Sequence, residues 1–311
     1  MAGTGSAAAA AAAAATAARG LARPGLGVRA AGWRRLLGPK ETLRLLEGSV
    51  VHREGALLAL NKPPGLPILG RPGDLSLDVL LPALRRHLGL DADLHVVKAP
   101  AREYSGLVLL SSCYHTTKKL QQFFTDARWR GQYPATYRAI TVGVPAEVEG
   151  EISTGLSWQQ QGDRAMVVPV PAPGRRSLAR KDVKSTLTRY RVLSAVGGCA
   201  LLQLQPRTAF PEQLQVHLTL LLCPALGDHK HSSRVGRVLG VPFFLSPESA
   251  PTHTQVLDEE LLSRLGLSPR QLHHLPLHIH LQELVLPEGP LRAPPPPYFL
   301  HTLRCLGLPE H

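Results

Sequence analysis

The chain has 311 residues, of which 44% are hydrophobic, and its 35 basic and 23 acidic side chains give a formal net charge of +12. This length can bury one sizeable core, as one large domain or two lobes. No run of eighteen apolar residues is present, which predicts that no segment spans a membrane. The cysteines stand far apart without a C-x-x-C pair, which fits free thiols in a reducing compartment; they are Cys113, Cys199, Cys223 and Cys305.

Residues 1–40 form a basic, alanine-rich segment with no acidic residue before Glu41. Its six basic residues are Arg19, Arg23, Arg29, Arg34, Arg35 and Lys40. This composition is typical of a mitochondrial presequence, whereas a low-complexity disordered tail usually carries some acid. We therefore expect a disordered presequence over residues 1–40 and a location in the mitochondrial matrix. Without this segment the net charge is +6, a modest excess that fits a polyanionic partner such as nucleic acid.

From residue 43 onward, strand and helix patterns alternate. Short apolar or alternating runs predict strands over residues 56–60, 106–110, 136–142, 187–193, 200–205 and 278–286. Helical spacing of apolar residues predicts helices over residues 77–88, 117–126, 211–222, 257–265 and 268–274. Ser76 can cap the first of these helices and Gly89 can end it. The interleaved strands, with few regular β-α-β crossovers, indicate an α+β fold.

Two stretches and the C-terminal end lack such patterns. Residues 147–162 are polar with glycines, residues 171–184 mix proline with glycine, and both predict flexible loops. The second stretch is either a solvated loop or a phosphate-binding arm, since it carries Arg175, Arg176, Arg180, Lys181 and Lys184. Residues 293–297 are mainly proline and predict the end of the domain. We therefore expect one domain over residues 41–290 and a proline-rich tail over residues 291–311.

Several short motifs follow one another between residues 57 and 287. Residues 62–65 read Lys-Pro-Pro-Gly, residues 101–106 Ala-Arg-Glu-Tyr-Ser-Gly, residues 136–139 Thr-Tyr-Arg-Ala, residues 216–218 Val-His-Leu, and residues 227–228 Gly-Asp, before a last strand with His280, Leu284 and Leu286. In this order they resemble the motifs of the RluA-type RNA pseudouridine synthases, whose catalytic loop reads roughly H-R-L-D-R-x-T-S-G. The resemblance implies the fold of that family, a mixed, mostly antiparallel sheet flanked by helices, with an RNA-binding cleft.

The resemblance also implies roles for individual residues. Tyr137 takes the position of the tyrosine that stacks on the target base. Ala101 takes the position of the catalytic aspartate, and Gln215 that of the arginine that holds this aspartate ionised. The residues expected to contact RNA are Lys62 and Arg102 in the motifs, and Arg175, Arg176, Arg180 and Lys181 in the basic run.

The two substitutions remove the charged pair that the family's reaction requires. The reaction flips uridine out of the stack, breaks the N1–C1′ bond, turns the uracil and rejoins it through C5. A carboxylate at the sugar is indispensable, whether it acts as nucleophile or base. Joint loss of acid and arginine avoids leaving an unpaired buried cation. The candidate substitutes are Glu212, at a motif position that faces the pocket in relatives, and Glu103, in the same loop as Ala101.

Other side chains indicate less specific chemistry. The histidines at positions 273, 274, 278 and 280 have no cysteine or carboxylate among them to complete a zinc site, so core or surface roles are expected. Ser105 is expected to close a turn, since no histidine and acid are placed to activate it. Trp129, between two arginines, either meets RNA bases or ends a helix. We expect no metal or organic cofactor, because the isomerisation is redox-neutral and the family needs none.

Three interpretations of function remain open. The first is an RNA pseudouridine synthase that acts on mitochondrial mRNA or rRNA through a displaced carboxylate. The second is an inactive relative that binds RNA in mitochondrial RNA metabolism or works with mitoribosome assembly factors. The third is a purely protein-binding descendant, against which Tyr137 and the basic run argue. Residue chemistry favours the second and family resemblance the first, so enzyme status and oligomeric state stay open.

Overall fold

An eleven-stranded sheet with helices on both faces organises the described part of the chain. The computed structural model describes residues 38–71, 73–161, 164–171, 174, 176–177, 182–246, 249–250 and 254–310. The expected presequence lies outside these residues except for its last three positions, of which the last two begin a helix. The predicted α+β class is confirmed.

The described helices lie mostly where helical spacing predicts them. They are α1 (Pro39–Glu47), α2 (Leu77–His87), α3 (Tyr114–Trp129), α4 (Gln213–Leu220), α5 (Glu259–Leu265) and α6 (Pro297–Leu306). Two short segments are 3₁₀ turns, Ser232–Arg234 and Pro269–His274. The second of these was expected to be an α-helix.

The described strands form one large sheet and one separate hairpin. They are β1 (Val50–Glu54), β2 (Leu57–Lys62), β3 (His95–Lys98), β4 (Ser105–Ser111), β5 (Ala135–Val142), β6 (Glu149–Gln161), β7 (Arg164–Val170), β8 (Lys184–Val196), β9 (Cys199–Pro206), β10 (Val235–Val238), β11 (Val241–Phe244), β12 (Ile279–Leu286) and β13 (Gly289–Arg292). The large sheet has the order β1-β2-β4-β12-β5-β9-β8-β6-β7, with β3 beside β4 and β13 beside β12. Its central pair, β4 and β12, is parallel, and the other described pairings are antiparallel.

Alternation along the central strands divides the core between the two faces of the sheet. On β5, Tyr137 and Ala139 face a cluster that α3 and α4 cover. Ile140 points the other way, into a cluster that α5 and α6 cover. A third apolar cluster lies where α1 and α2 pack on β2. The helix α4, which carries Gln215, therefore lies on the same side of the sheet as Tyr137.

Two predictions about poorly ordered segments are wrong. Residues 147–162, expected to be a loop, lie largely in β6, where Ile152 and Leu156 are buried and most neighbouring side chains are polar. The expected tail after residue 290 packs on the core: β13 pairs with β12, and Phe299 and Leu303 of α6 are buried. The proline run precedes and starts α6, because a helix needs no N–H in its first turn.

The Ser-Gly pair at residues 105–106, expected to close a turn, begins β4 instead. Gly106 has a φ of +117°, and a Cβ there would lie 2.2 Å from the carbonyl oxygen of Leu281 on β12. Only glycine allows the two parallel strands to approach this closely. The contact fixes the start of β4 and therefore the position of the preceding residues 101–104, which we term the signature loop.

Candidate active site

The signature loop is a tight turn between β3 and β4. The Tyr104 N–H donates to the Ala101 carbonyl at 3.1 Å, with Arg102 and Glu103 at the corners of the turn. Ala101 and Arg102 are exposed, and the partly exposed Glu103 carboxylate lies 3.6 Å from Arg102 Nε. Arg102 Nε also donates to the Gly65 carbonyl at 3.3 Å. Ala101, expected from the resemblance to take the place of the catalytic aspartate, therefore presents an exposed methyl group.

Lys62 supports the signature loop from the protein interior. It is 1% exposed, and its Nζ donates to the carbonyls of Pro63 at 2.9 Å, Leu66 at 3.1 Å and Arg102 at 3.0 Å. Burial lowers the pKa of this ammonium to about 7; the nearby carboxylate of Glu103 raises it and the Arg102 cation lowers it, both to a smaller extent. Lys62 is buried in this structure, and its expected contact with RNA stays a prediction. Its hydrogen bonds join the Lys-Pro-Pro-Gly loop to the signature loop.

Tyr104 and Tyr137 meet edge to face between the signature loop and α4, in the region that we term the cleft after the RNA-binding cleft that the family resemblance implies. Their ring centroids lie 6.1 Å apart with the planes at 80°, and both rings belong to the main core cluster. Burial raises the pKa of both phenols far above the ordinary value, so both stay neutral. Tyr137 therefore lies beside the signature loop, but its ring is covered. Stacking on a base requires a side-chain rearrangement that exposes it.

A hydrogen-bond chain runs through Gln215, the residue expected from the resemblance to replace an arginine. The Tyr104 hydroxyl donates to Gln215 Oε1 at 3.4 Å, and Gln215 Nε2 donates to Asp228 Oδ1 at 3.1 Å. The same oxygen accepts the backbone N–H groups of Lys230 and His231, each at 3.0 Å. Asp228 is 1% exposed, and its Oδ2 has no hydrogen-bond partner among the described atoms. Hydrogen bonds thus connect three of the sequence motifs: the signature loop, α4 and the Gly-Asp turn at residues 227–228.

Glu212 is a carboxylate of the cleft itself, just before α4. Its φ of +56° is unusual for a residue other than glycine and places it in the left-handed region. Its Oε1 accepts from Lys230 Nζ at 2.5 Å, and its Oε2 lies 2.8 Å from His231 Nε2, which must donate because a carboxylate only accepts. Burial alone would raise the pKa of Glu212, but the hydrogen bonds and charges of His231 and Lys230 hold it below the ordinary value. Its charge also helps to raise the pKa of the Tyr104 phenol, to a smaller extent than burial does.

The other predicted RNA contacts lie in the basic run, of which the structure describes only a part. Arg176 is exposed, and Arg175, Arg180 and Lys181 lie outside the described residues. Sequence reasoning missed Trp158 on β6, whose half-exposed ring lies 5.9 Å from Lys230 Nζ. A single aromatic residue in a polar stretch was the available signal.

Ser105 has a histidine neighbour, contrary to expectation. Its Oγ lies 2.9 Å from His280 Nδ1, and His280 Nε2 lies 3.1 Å from the Ala293 carbonyl. Because a carbonyl only accepts, Nε2 carries the proton and the serine hydroxyl donates to Nδ1. Both side chains are fully buried, so the pair ties β4 to β12 and to the segment before α6. Because its hydroxyl is buried and has no access to a substrate, Ser105 has a structural role.

Metal binding and membrane crossing depend on two features of the described residues: groups of side chains that could hold a metal ion, and helices that could span a membrane. Within the residues that the structure describes, no three histidine, cysteine, aspartate or glutamate side chains are grouped so that they could hold a metal ion. His278 instead bonds to the Leu226 carbonyl and to Thr302 in the core. None of the described helices is long and apolar enough to cross a membrane.

Known proteins resemble this chain over most of its length. The family model described as RNA pseudouridylate synthase matches residues 56–220. The protein named mitochondrial mRNA pseudouridine synthase Rpusd3 of Mus musculus is 49% identical over 88% of this chain and 82% of its own length. Its Homo sapiens counterpart is 50% identical over 88% of this chain and 80% of its own length. Pseudouridylate synthase RPUSD4, mitochondrial, of Bos taurus is 32% identical over 87% of this chain and 72% of its own length.

Solved structures show the same fold. The human RNA Pseudouridylate Synthase Domain Containing 4 matches with a TM-score of 0.69 and 28% identity, covering 87% of this chain and 97% of that chain. The human RNA Pseudouridylate Synthase Domain Containing 1 shares the fold, with a TM-score of 0.55, 20% identity, and 83% and 86% coverage. The expected fold is thereby confirmed. The chain belongs to the RluA-type RNA pseudouridylate synthase family.

Proposed function

We propose that this protein acts on mitochondrial RNA as a pseudouridine synthase, in the cleft between the signature loop and α4. Relatives about half identical to it are named mitochondrial mRNA pseudouridine synthases, which supports both the reaction and the RNA class. Their mitochondrial names and the acid-free, basic segment at residues 1–40 support a presequence and a location in the matrix.

The observation that carries this proposal is the ionised Glu212 carboxylate in the cleft. A carboxylate paired with a cation stays ionised at neutral pH, which the family achieves with an aspartate and an arginine. Here Glu212 supplies the acid that Ala101 lacks, and Lys230 supplies the cation that Gln215 lacks. The left-handed backbone at Glu212 adds support, because strained conformations gather at functional sites.

The reaction needs only this carboxylate, a bound base and proton transfers. A flipped uridine enters the cleft and its base stacks on Tyr137 after the rearrangement of the two tyrosines. Glu212 acts at the sugar, as nucleophile at C1′ or base at C2′, while the N1–C1′ bond breaks and its electron pair leaves with the uracil. The uracil turns and C5 bonds to C1′; as C5 bonds, either the ester bond between Glu212 and C1′ breaks and its electron pair returns to the carboxylate, or the protonated Glu212 gives its proton back to C2′. The C5 hydrogen then leaves as a proton and N1 takes one up. Atoms and electrons balance within the nucleotide.

RNA binding without isomerisation is the second candidate function, and Ala101 favours it. The exposed methyl group can neither accept nor donate a proton, and the neutral Gln215 already bonds to Tyr104 and to one oxygen of Asp228. In this alternative, Glu212 only stabilises the loop through Lys230 and His231, and the protein works in mitochondrial RNA metabolism or with mitoribosome assembly factors.

Release of tritium from C5 of uridine distinguishes the two candidates, because isomerisation removes the C5 hydrogen as a proton. Purified full-length protein is incubated with mitochondrial transcripts labelled at C5. We expect release by wild type and by Glu103→Gln, and a loss of at least about a hundredfold in Glu212→Gln. Wild type that binds the transcripts without releasing tritium would establish the second candidate instead. Equal release by wild type and Glu212→Gln would exclude Glu212 as the reacting acid.

A further inference from the structure

We infer that Trp158 is a stacking platform for an unpaired RNA base at the rim of the cleft, with Lys230 beside it for the adjoining phosphate. This inference rests on the proposed RNA binding and adds a contact outside the target-base site. It concerns the hairpin of β6 and β7, which sequence patterns had predicted to begin as a loop.

Pairing within the hairpin sets the direction of the Trp158 side chain. Trp158 lies directly opposite Val167 on β7, and directly opposite residues of antiparallel strands share a face. Leu156, two residues earlier, lies on the same face. Leu156 and Val167 are both fully buried and pack with Val216 of α4. Trp158 therefore points to the α4 side of the hairpin, one step beyond the part that the helix covers.

At that position the ring projects over the charged rim of the cleft. Trp158 is 51% exposed, and Lys230 Nζ lies 5.9 Å from its ring centroid. The same ammonium bonds to Glu212, so the tryptophan and the proposed catalytic acid contact one side chain. A nucleotide that stacks on Trp158 is thus separated from the proposed reaction site only by the Lys230 side chain.

An exposed indole beside a cation fits single-stranded RNA by its chemistry. Every base has a π face, so an aromatic platform accepts any base, and a lysine at its edge meets the backbone phosphate. Apart from its contact with Lys230, the half-exposed Trp158 ring leaves apolar area in water that a stacked base would cover. The other exposed tryptophan described, Trp129, lies at the end of α3 on a different part of the sheet and is 81% exposed. It provides a matched control.

Binding of a fluorescein-labelled single-stranded RNA of mixed sequence tests the inference in the full-length protein. We expect Trp158→Ala to weaken binding about tenfold at every salt concentration, with Trp158→Phe near wild type and Trp129→Ala unchanged. Lys230→Gln should lower the slope of log affinity against log salt by about one. Equal affinity of Trp158→Ala and wild type would overturn the inference and leave RNA binding intact. Absence of binding by wild type would overturn the proposed function as well.

Fluorescence gives a second test that needs no destabilising change. In the double variant Trp33→Phe, Trp129→Phe, Trp158 is the remaining tryptophan. Stacking on a base should quench its emission when the same RNA is added. RNA that binds this variant without changing the emission would contradict a stacked Trp158.

Discussion

Gln215 Nε2 donates a hydrogen bond to the buried Asp228 carboxylate at 3.1 Å, at the position where the family resemblance implies an arginine. The neutral carboxamide satisfies one carboxylate oxygen and leaves Asp228 Oδ2 without a described partner. An arginine at this position would find that second acceptor. The ring of Tyr104, in contact with Gln215, occupies the adjoining space.

Restoring the family's charged pair should therefore raise isomerase activity. The triple variant Ala101→Asp, Tyr104→Thr, Gln215→Arg supplies the acid and the cation, and the smaller threonine makes room for the guanidinium. We expect tritium release from C5-labelled RNA to exceed the wild-type rate at least about tenfold. The matched variant with Asn in place of Asp at position 101 should show no gain. A folded triple variant that is no faster than this control would contradict the assignment of the site.

Gly106 should be among the least replaceable residues of the sheet. A Cβ at this position would lie 2.2 Å from the Leu281 carbonyl oxygen, so the parallel pair of β4 and β12 would have to separate. We expect Gly106→Ala to lower the free energy of unfolding by about 3 kcal/mol or more. Gly55→Ala, also at positive φ but with open space around it, should cost only about 1 kcal/mol. Urea unfolding measures both; similar losses would show that the close contact is unimportant.

Lys62 should make stability rise with pH above neutrality. Its folded-state pKa of about 7 lies below the ordinary value of 10.5, so between these values the unfolded chain binds more protons than the folded one. The Lys62 contribution to the free energy of unfolding therefore increases as pH rises through this window. Between pH 7 and pH 9, we expect the free energy of unfolding of wild type to rise by on the order of 2 kcal/mol through Lys62. The variant Lys62→Met should not show this rise. The control Lys119→Met changes an exposed helix position and should show the same rise as wild type. The same pH dependence of unfolding in both variants would refute a buried ammonium at Lys62.

RNA affinity should fall steeply with added salt. The exposed Arg102 and Lys230 lie at the mouth of the cleft, and each phosphate contact releases condensed counterions. The log of the binding constant should decline linearly with the log of salt, measured by anisotropy of labelled RNA. A flat dependence would be inconsistent with a phosphate-binding cleft.

Motifs in the sequence located the cleft more reliably than they assigned side-chain roles. The order of motifs predicted the family and the fold, and the signature loop, Tyr137 and Gln215 that the motifs singled out lie close together in the structure. The burial of Lys62 was not predictable, because a lysine in a basic chain reads as a surface residue until its three carbonyl partners are known. Tyr104 was overlooked for a similar reason, since its role depends on a residue more than a hundred positions away.

Errors in the fold came from segments whose local composition suggested irregular structure. β6 buries only alternate side chains, such as Ile152 and Leu156, and its polar positions suggested a loop. α6 follows a run of prolines that suggested an end, although Phe299 and Leu303 complete the core beyond it. In both cases tertiary burial outweighed local composition.

Pseudouridine mapping of mitochondrial RNA from cells that lack the protein tests the central claim most directly. Cells are rescued with wild type, with Glu212→Gln, or with the double variant Glu103→Gln, Glu212→Gln. We expect at least one pseudouridine to disappear in cells that lack the protein. Wild type should restore it, and neither variant should. Persistence of every site in the knockout, with altered mitochondrial RNA or ribosome levels, would contradict isomerase activity and show that the protein works by binding.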